Sequence, residues 1–213
     1  MAIEIVRAGE TNIERFAPLI PGLIHATGPV SYGYQFGRDG RALKLIVEAS
    51  WRTPQTLFSA GASTLALEDG ELLGLELGFH GPDFYTFKAN VAALAPALIN
   101  AETLTLEEAI GVGYRAQKAS YLNAHVLEGA YYLFALAVFA QHRGRGIGAK
   151  LFSAALARAK SAGHKELQLD VLADNPAVEF YRAMGMEIVV EIRSPELSRD
   201  HSFPSEYRMA LPL

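Results

Sequence analysis

Three glycines at alternate positions, Gly144, Gly146 and Gly148, constrain this sequence more than any other feature. They follow a continuously apolar segment, residues 131–139, which predicts a strand buried on both faces. The segment after them has the spacing of an amphipathic helix. At a strand-to-helix connection, glycines let the backbone approach a ligand, and the free N–H groups of the helix N-terminus attract an anion. We therefore expect this loop to bind a phosphate group.

Two familiar phosphate-binding loops differ from this one. A nucleotide-hydrolase loop requires G-x-x-x-x-G-K-[ST], but Gly148 is followed by Ala149 and Lys150. A dinucleotide-binding loop has the spacing G-x-G-x-x-G, and Asp170, about 20 residues further on, matches the ribose-binding acid of such folds. The loop here comes late in the chain, after a predicted hairpin at Asp69-Gly70. An NAD(P)-dependent oxidoreductase is therefore the weaker alternative.

A third comparison covers more of the sequence. Arg143-x-x-Gly146-x-Gly148 resembles the acyl-CoA signature of the Gcn5-related N-acetyltransferases, usually described as R/Q-x-x-G-x-G/A. The predicted order of elements is also similar: a hairpin, a central strand, the loop with its helix, a strand, and a helix with a Phe-Tyr pair. The resemblance extends over residues 130–193 and more weakly over 1–79.

The resemblance implies an α/β (α+β) fold with a mixed, mainly antiparallel central sheet flanked by helices. Residues 80–129 lie outside it, and their Ala- and Leu-rich composition, with a capping box from Thr105 to Glu108, predicts a helical insertion between the third and fourth strands. Without this insertion 163 of the 213 residues remain, a suitable size for one domain. We expect residues 1–213 to form a single domain, with the insertion as a lid or as the surface of a homodimer.

The resemblance also implies the activity. The chain is expected to transfer an acetyl group from acetyl-CoA to an amine of a small molecule or peptide, through a tetrahedral intermediate. The main chain of Leu136, Ala137 and Val138 is implied to bind the pantetheine arm, and an N–H group there to polarise the thioester. The residues implied to hold the pyrophosphate are Arg143, Gly144, Arg145, Gly146, Ile147, Gly148 and Ala149.

One further CoA contact is implied by an asparagine at the start of the helix after the next strand. The family commonly places this asparagine seven residues before its tyrosine. Here Asn175 stands six residues before Tyr181, and Asp174 stands seven before it. Asn175 is the expected contact, and Asp174 is the alternative.

The catalytic acid and base are assigned on unequal grounds. The resemblance implies that Tyr181 protonates the departing CoA thiolate. The central strand carries Tyr131 and Tyr132 where relatives often have an acid, so Asp170 on the next strand is the expected general base. The other candidates for the base are His80, His125 and Glu128.

The acceptor site is expected between the first helices. Residues 28–40 are rich in glycine and predict a loop. Its aromatic residues Tyr32, Tyr34 and Phe36 either enclose an acceptor or cover the core.

Composition limits the remaining possibilities. The chain has no cysteine, which excludes thiolate chemistry and Cys-ligated metals, and we expect no metal. Its net charge of −4 disfavours nucleic-acid binding. The N-terminus lacks a secretion signal and no apolar run approaches the roughly 20 residues of a membrane span, so we expect a cytoplasmic protein without a membrane partner. Because the strand carboxylate is missing, a non-catalytic acyl-CoA-binding or sensing module is the alternative outside enzymes.

Overall fold

The computed structural model describes residues 2–213 and contains a seven-stranded sheet of order β1-β2-β3-β4-β5-β7-β6. The strands are β1 (Glu4–Arg7), β2 (Ser63–Glu68), β3 (Glu71–His80), β4 (Ala130–Val138), β5 (Glu166–Leu172), β6 (Glu187–Ile192) and β7 (Glu206–Pro212). β4 and β5 are parallel, and the other five neighbouring pairs are antiparallel. This mixed, mainly antiparallel sheet confirms the predicted fold class.

Ten α-helices surround the sheet in the part of the chain that the structure describes. They are α1 (Glu10–Phe16), α2 (Ile20–Thr27), α3 (Pro29–Phe36), α4 (Arg41–Arg52), α5 (Asp83–Ala92), α6 (Ala95–Asn100), α7 (Leu106–Ala119), α8 (Ile147–Ser161), α9 (Ala177–Ala183) and α10 (Pro195–His201). Short 3₁₀ turns occupy residues 60–62, 120–122 and 140–142. The sequence did not predict α10.

The helices form a layer on each face of the sheet. On one face, Val47 and Trp51 of α4 pack with Leu75 of β3 in the largest apolar cluster. On the other face, Phe152 of α8 packs with Leu169 of β5. The apolar faces of these helices therefore pack on the sheet from opposite sides, which leaves both faces of its centre buried.

The hairpin between β2 and β3 has the geometry that its turn residues predict. Asp69 and Gly70 both have positive φ angles, 52° and 79°, as a type I′ turn requires. This turn fixes the register of β2 against β3 and so positions β3 beside β4.

The helical insertion between β3 and β4 is confirmed by α5, α6 and α7. The predicted capping box is present: Thr105 Oγ1 accepts from the Glu108 N–H at 3.1 Å, and Glu108 Oε2 accepts from the Thr105 N–H at 2.7 Å. Arg115 on α7 donates to the carbonyl of Gln35 on α3 at 2.9 Å. The insertion is thus held against the first helices of the chain.

The expectation of a loop over residues 28–40 is wrong for most of that segment, because Pro29–Phe36 forms α3. Proline is well suited to the first helical position, where its missing N–H has no helical partner to lose. Tyr32 and Phe36, four residues apart, then lie on the same helical face with ring centroids 6.1 Å apart. Tertiary burial of this aromatic face outweighs the cost of the internal glycine.

Candidate active site

The two central strands separate and form a cavity between them. β4 and β5 pair only from Ala130–Glu166 to Tyr132–Gln168. Beyond this point a cavity of about 1540 Å³ is lined by residues 133–138 of β4 and 169–172 of β5. In residues 2–213 these facing edges have no sheet partner, so their N–H and C=O groups can bind an extended ligand as a strand would. The predicted pantetheine-binding segment lies on this edge.

A β-bulge coincides with the point of separation. The register of β3 against β4 shifts between Leu77 and Gly78, which pair with Ala135 and Leu133. Phe134 is left without a partner on β3 and lines the cavity. A bulge bends a strand and redirects its backbone. It is a feature that the sequence did not reveal.

The glycine loop forms one end of the cavity. Gly144 and Gly146 both have φ angles of 75°, in the left-handed region that favours glycine. A Cβ atom at either position would meet nothing within 4 Å, so the loop surface is open to a ligand. Gly146 is the N-cap of the 15-residue helix α8. The loop and the first-turn N–H groups of α8 therefore fit the predicted pyrophosphate, and Ile147, Gly148 and Ala149 also line the cavity.

The two arginines of the loop are placed differently. Arg143 lines the cavity, and its Nε donates to the Val138 carbonyl at 3.2 Å. Arg145 lies outside the cavity, where its Nη2 donates to both carboxylate oxygens of Glu68, at 2.7 and 2.9 Å. The structure thus brings Arg143 to the predicted phosphate site but not Arg145.

Tyr181 on α9 lines the same cavity and is 7% exposed. Its ring packs against Phe152 and Phe180, at centroid distances of 6.3 and 5.3 Å. Burial raises the pKa of Tyr181, so its hydroxyl stays protonated at neutral pH. The hydroxyl is therefore available to donate to a ligand atom in the cavity.

Asp174 and Asn175 both line the cavity near the start of α9. The Asn175 side chain is engaged within the protein, since its Oδ1 accepts from Ala177 N at 2.9 Å and its Nδ2 donates to the Thr27 carbonyl at 3.1 Å. The first bond satisfies the N–H group of Ala177, the first residue of α9. Asp174 has an exposed side chain.

Asp170 reaches the cavity but is held in a nearly buried ion pair. The side chains of Asp170 and Arg208 are 6% and 2% exposed. Asp170 Oδ2 accepts from Arg208 Nη2 at 2.8 Å and from the Tyr132 hydroxyl at 2.7 Å, and Oδ1 accepts from Arg208 Nε. Arg208 also donates to Gln168 Oε1 at 3.0 Å and to the carbonyl of His125 at 2.9 Å. Because both oxygens of Asp170 are engaged, this geometry argues against its role as the base and favours a positioning role.

Glu206, the first residue of β7, is the carboxylate that the sequence analysis missed. It lines the cavity and pairs in register with Leu172 of β5. Burial first, and then the charge of Asp170, raise the pKa of Glu206 to about 8, although Arg208 opposes this shift. A carboxyl group that titrates near neutral pH inside a cavity is suited to proton transfer. Only the sheet order, with β7 beside β5, brings Glu206 to this position.

The other candidates for the base lie elsewhere. None of His80, His125 and Glu128 lines the cavity. The His125 ring forms a hydrogen bond with the Tyr85 hydroxyl at 2.9 Å on the surface of the insertion. These positions do not support proton transfer in the cavity.

Aromatic rings enclose the part of the cavity beside α3 and the insertion. Tyr32 and Phe36 line it, as one of the two interpretations of their segment predicts, whereas Tyr34 packs against Phe203 with ring centroids 5.4 Å apart. Burial raises the pKa of Tyr32 to about 12. Other aromatic residues on this wall are Phe58, Phe84 and Phe134. The part of the cavity that these rings line, here called the acceptor chamber, is continuous with the part at the glycine loop, and its apolar wall suits an apolar acceptor.

Residues 2–213 contain neither a metal-ligand cluster nor a membrane-spanning helix. No group of three or more His, Asp or Glu side chains is arranged to hold a metal ion. No helix has the length and apolar character needed to span a bilayer.

Several solved structures share this architecture. An N-acetyltransferase from Staphylococcus aureus Mu50 superposes with a TM-score of 0.70 at 17% identity, covering 98% of this chain and 100% of that one. The polyamine N-acetyltransferase of Drosophila melanogaster has a TM-score of 0.61 at 16% identity, with both chains fully covered. The ribosomal-protein-S18-alanine N-acetyltransferase of Escherichia coli has a TM-score of 0.51 at 15% identity, covering 99% and 94%. Identities this low show the fold alone.

The sequence itself identifies the family. A search of curated protein sequences found no match. The model of the acetyltransferase (GNAT) family matches residues 44–186, which is more than half of the chain and includes the glycine loop, both separated strands and Tyr181. The protein belongs to the acetyltransferase (GNAT) family.

Proposed function

We propose that this protein transfers an acetyl group from acetyl-CoA to an amine of a small molecule or peptide. One observation carries the proposal. A single cavity joins the open edge of β4, the glycine loop, a protonated tyrosine and a carboxylate with a pKa of about 8. These are the parts that hold a CoA thioester and move the protons of an acyl transfer.

The donor lies along β4 in this proposal. The open edge of β4 at Leu136, Ala137 and Val138 binds the pantetheine arm, and the loop at residues 143–149 holds the pyrophosphate, with Arg143 as its cation. When bound, acetyl-CoA supplies a thioester carbonyl as the electrophile. Backbone N–H groups on the open edge stabilise the negative charge that develops on that carbonyl oxygen.

Proton transfer is assigned to Glu206 and Tyr181. Glu206 accepts a proton from the acceptor ammonium, which frees the nitrogen lone pair to form the C–N bond. As the C–S bond breaks, the Tyr181 hydroxyl donates its proton to the departing sulfur. The attacking nitrogen then gives its second proton to the Tyr181 oxygen, which restores the hydroxyl. Asp170, fixed by Arg208, positions Tyr132 and adds negative charge next to Glu206.

The proposal is tested by acetyl-CoA binding and amine-dependent thiol release. Calorimetry with acetyl-CoA and with NADH should show binding of the first only. Thiol release in a panel of amines should then depend on both substrates. Binding without thiol release from any amine would indicate the sensing module instead, and binding of NADH alone would indicate an oxidoreductase.

A matched pair of glycine variants locates the donor site. Gly146 and Gly163 flank α8, have φ angles of 75° and 77°, and have open space where an alanine methyl group would lie. Each Gly→Ala change should cost a similar ~1–2 kcal/mol of stability. Only Gly146→Ala should weaken acetyl-CoA binding, and equal weakening in both variants would contradict the assigned site.

A further inference from the structure

Lys88 is a cation in the acceptor chamber that the proposed mechanism does not use. It lies on α5 of the insertion, lines the cavity and is partly buried. Burial is the only cause that lowers the pKa of Lys88, so no carboxylate lies close enough to raise it. Within residues 2–213 it has no ion-pair partner at 4.0 Å or less. Partial burial disfavours the charged form of an ammonium without a counter-ion, and a ligand anion would offset this cost.

The position of Lys88 relative to the reacting groups follows from the aromatic wall. Its Nζ lies 5.9 Å from the centroid of the Phe84 ring, and that ring lies 5.4 Å from the ring of Tyr132. The Tyr132 hydroxyl donates to Asp170, beside Glu206. The Lys88 Nζ is therefore at most about 11 Å from the Tyr132 ring centroid, and the Phe84 ring is adjacent to both.

The cavity is thus lined by one acidic and one basic side chain that are not paired with each other. Glu206 is near the predicted position of the reacting amine, and Lys88 stands beyond the Phe84 and Tyr132 rings. The cavity that they share is lined mainly by apolar and aromatic side chains, with a few polar ones that include Gln35, Gln117 and Asn123. A ligand that matches this pattern has a cationic amine, an apolar body of a few carbon–carbon bonds or one aromatic ring, and an anion at the far end.

We propose that the acceptor is an amine that carries a carboxylate on an apolar body, with its carboxylate bound by Lys88 and its amine presented to Glu206. This inference rests on the acetyltransferase function proposed above and names the class of its acceptor. It also excludes linear polyamines as good acceptors, because their second ammonium would lie against Lys88 in an apolar setting.

Three amines of equal length test the proposal on the wild-type protein. They are 6-aminohexanoate, hexylamine and 1,6-diaminohexane, whose far ends are anionic, apolar and cationic. With saturating acetyl-CoA, kcat/KM should be highest for 6-aminohexanoate, by roughly tenfold over hexylamine, as a charge-assisted hydrogen bond would give. The diamine should be the poorest.

Charge variants at Lys88 assign the preference to that residue. Lys88→Met should remove the difference between 6-aminohexanoate and hexylamine, and Lys88→Glu should favour the diamine. Lys44→Glu, an exposed lysine on α4 outside the cavity, is the control for net charge and should keep the wild-type order. The KM for acetyl-CoA should stay unchanged in all three variants.

Binding of the acetylated product gives a second readout. In the presence of CoA, 6-acetamidohexanoate should bind to wild type and lose affinity roughly tenfold in Lys88→Met, measured by calorimetry on variants with unchanged melting temperature.

The outcomes separate the two proposals. Equal kcat/KM for the three amines, a preference for the diamine in wild type, or a raised KM for acetyl-CoA in Lys88→Met would overturn the assigned acceptor class and leave acetyl transfer standing. Thiol release with other amines of the wider panel but with none of these three would overturn the acceptor class alone. Thiol release with no amine of the panel would overturn acetyl transfer, and the acceptor class with it.

Discussion

Replacing Glu206 with glutamine keeps the shape of the side chain and removes its negative charge. In the wild type, burial and the charge of Asp170 raise the pKa of Glu206 to about 8. At pH 7 only about one tenth of the protein then carries the carboxylate that can accept a proton. The rate kcat/KM should therefore rise about tenfold per pH unit below pH 8 and level off above it.

The glutamine variant should lose both the rate and this pH dependence. General-base catalysis contributes typically ~10²–10⁴-fold, so Glu206→Gln should reduce kcat/KM by that range at pH 8. Its remaining activity should rise only as the acceptor amine itself loses a proton, near pH ~10 for an alkylamine. Glu187→Gln, on exposed β6, should retain the wild-type profile.

The same group should make the protein less stable as pH rises. The folded-state pKa of Glu206, about 8, lies above its ordinary value of 4.5, so between these two the folded state binds more protons than the unfolded state. The free energy of unfolding should fall across this interval, by roughly 5 kcal/mol at most at 1.36 kcal/mol per pH unit. Urea unfolding at pH 5 and pH 9 should show a smaller fall in Glu206→Gln. The reasoning is refuted if Glu206→Gln still shows the change in the pH dependence of kcat/KM near pH 8. It is refuted likewise if the variant has the same difference in unfolding free energy between pH 5 and pH 9 as the wild type.

Further variants test three other parts of the site. Tyr181→Phe keeps the ring packing and should lower kcat, measured by thiol release, about 10²-fold. The Kd for acetyl-CoA, measured by calorimetry, should stay unchanged. An unchanged kcat would show that the tyrosine takes no part in the mechanism. Arg143→Ala should raise that Kd about tenfold, whereas Arg145→Ala should alter it less than about twofold, and equal effects would contradict their different placement. Arg208→Met leaves the Asp170 charge buried without its partner and should cost ~3–5 kcal/mol in urea unfolding, a loss that a second change, Asp170→Asn, should partly restore.

The parts of the fold that the sequence predicted are those with local causes. The Asp69-Gly70 turn, the capping box at Thr105 and the glycines before α8 each determine a backbone conformation within a few residues. The loop proposed to bind the donor is largely such a local element, which is why its position between a buried strand and a helix could be predicted from the sequence.

The acceptor half depends on contacts between distant segments. Asp170 and Arg208 are 38 residues apart in the sequence. They become partners only because β7 lies between β5 and β6 in the sheet. The same topology brings Glu206 to the cavity. For α3, the glycines of residues 28–40 led to the prediction of a loop, although Tyr32 and Phe36 have the spacing of one helical face.

Acetyl-CoA with a deuterated acetyl group tests the central claim most directly. Wild-type protein is incubated with this donor and 6-aminohexanoate, and the products are measured by mass spectrometry. The account predicts the labelled acetyl group on the amine nitrogen in an amount equal to the free CoA. Free CoA without a labelled amide, or no consumption of the donor although it binds, would contradict acetyl transfer at this site.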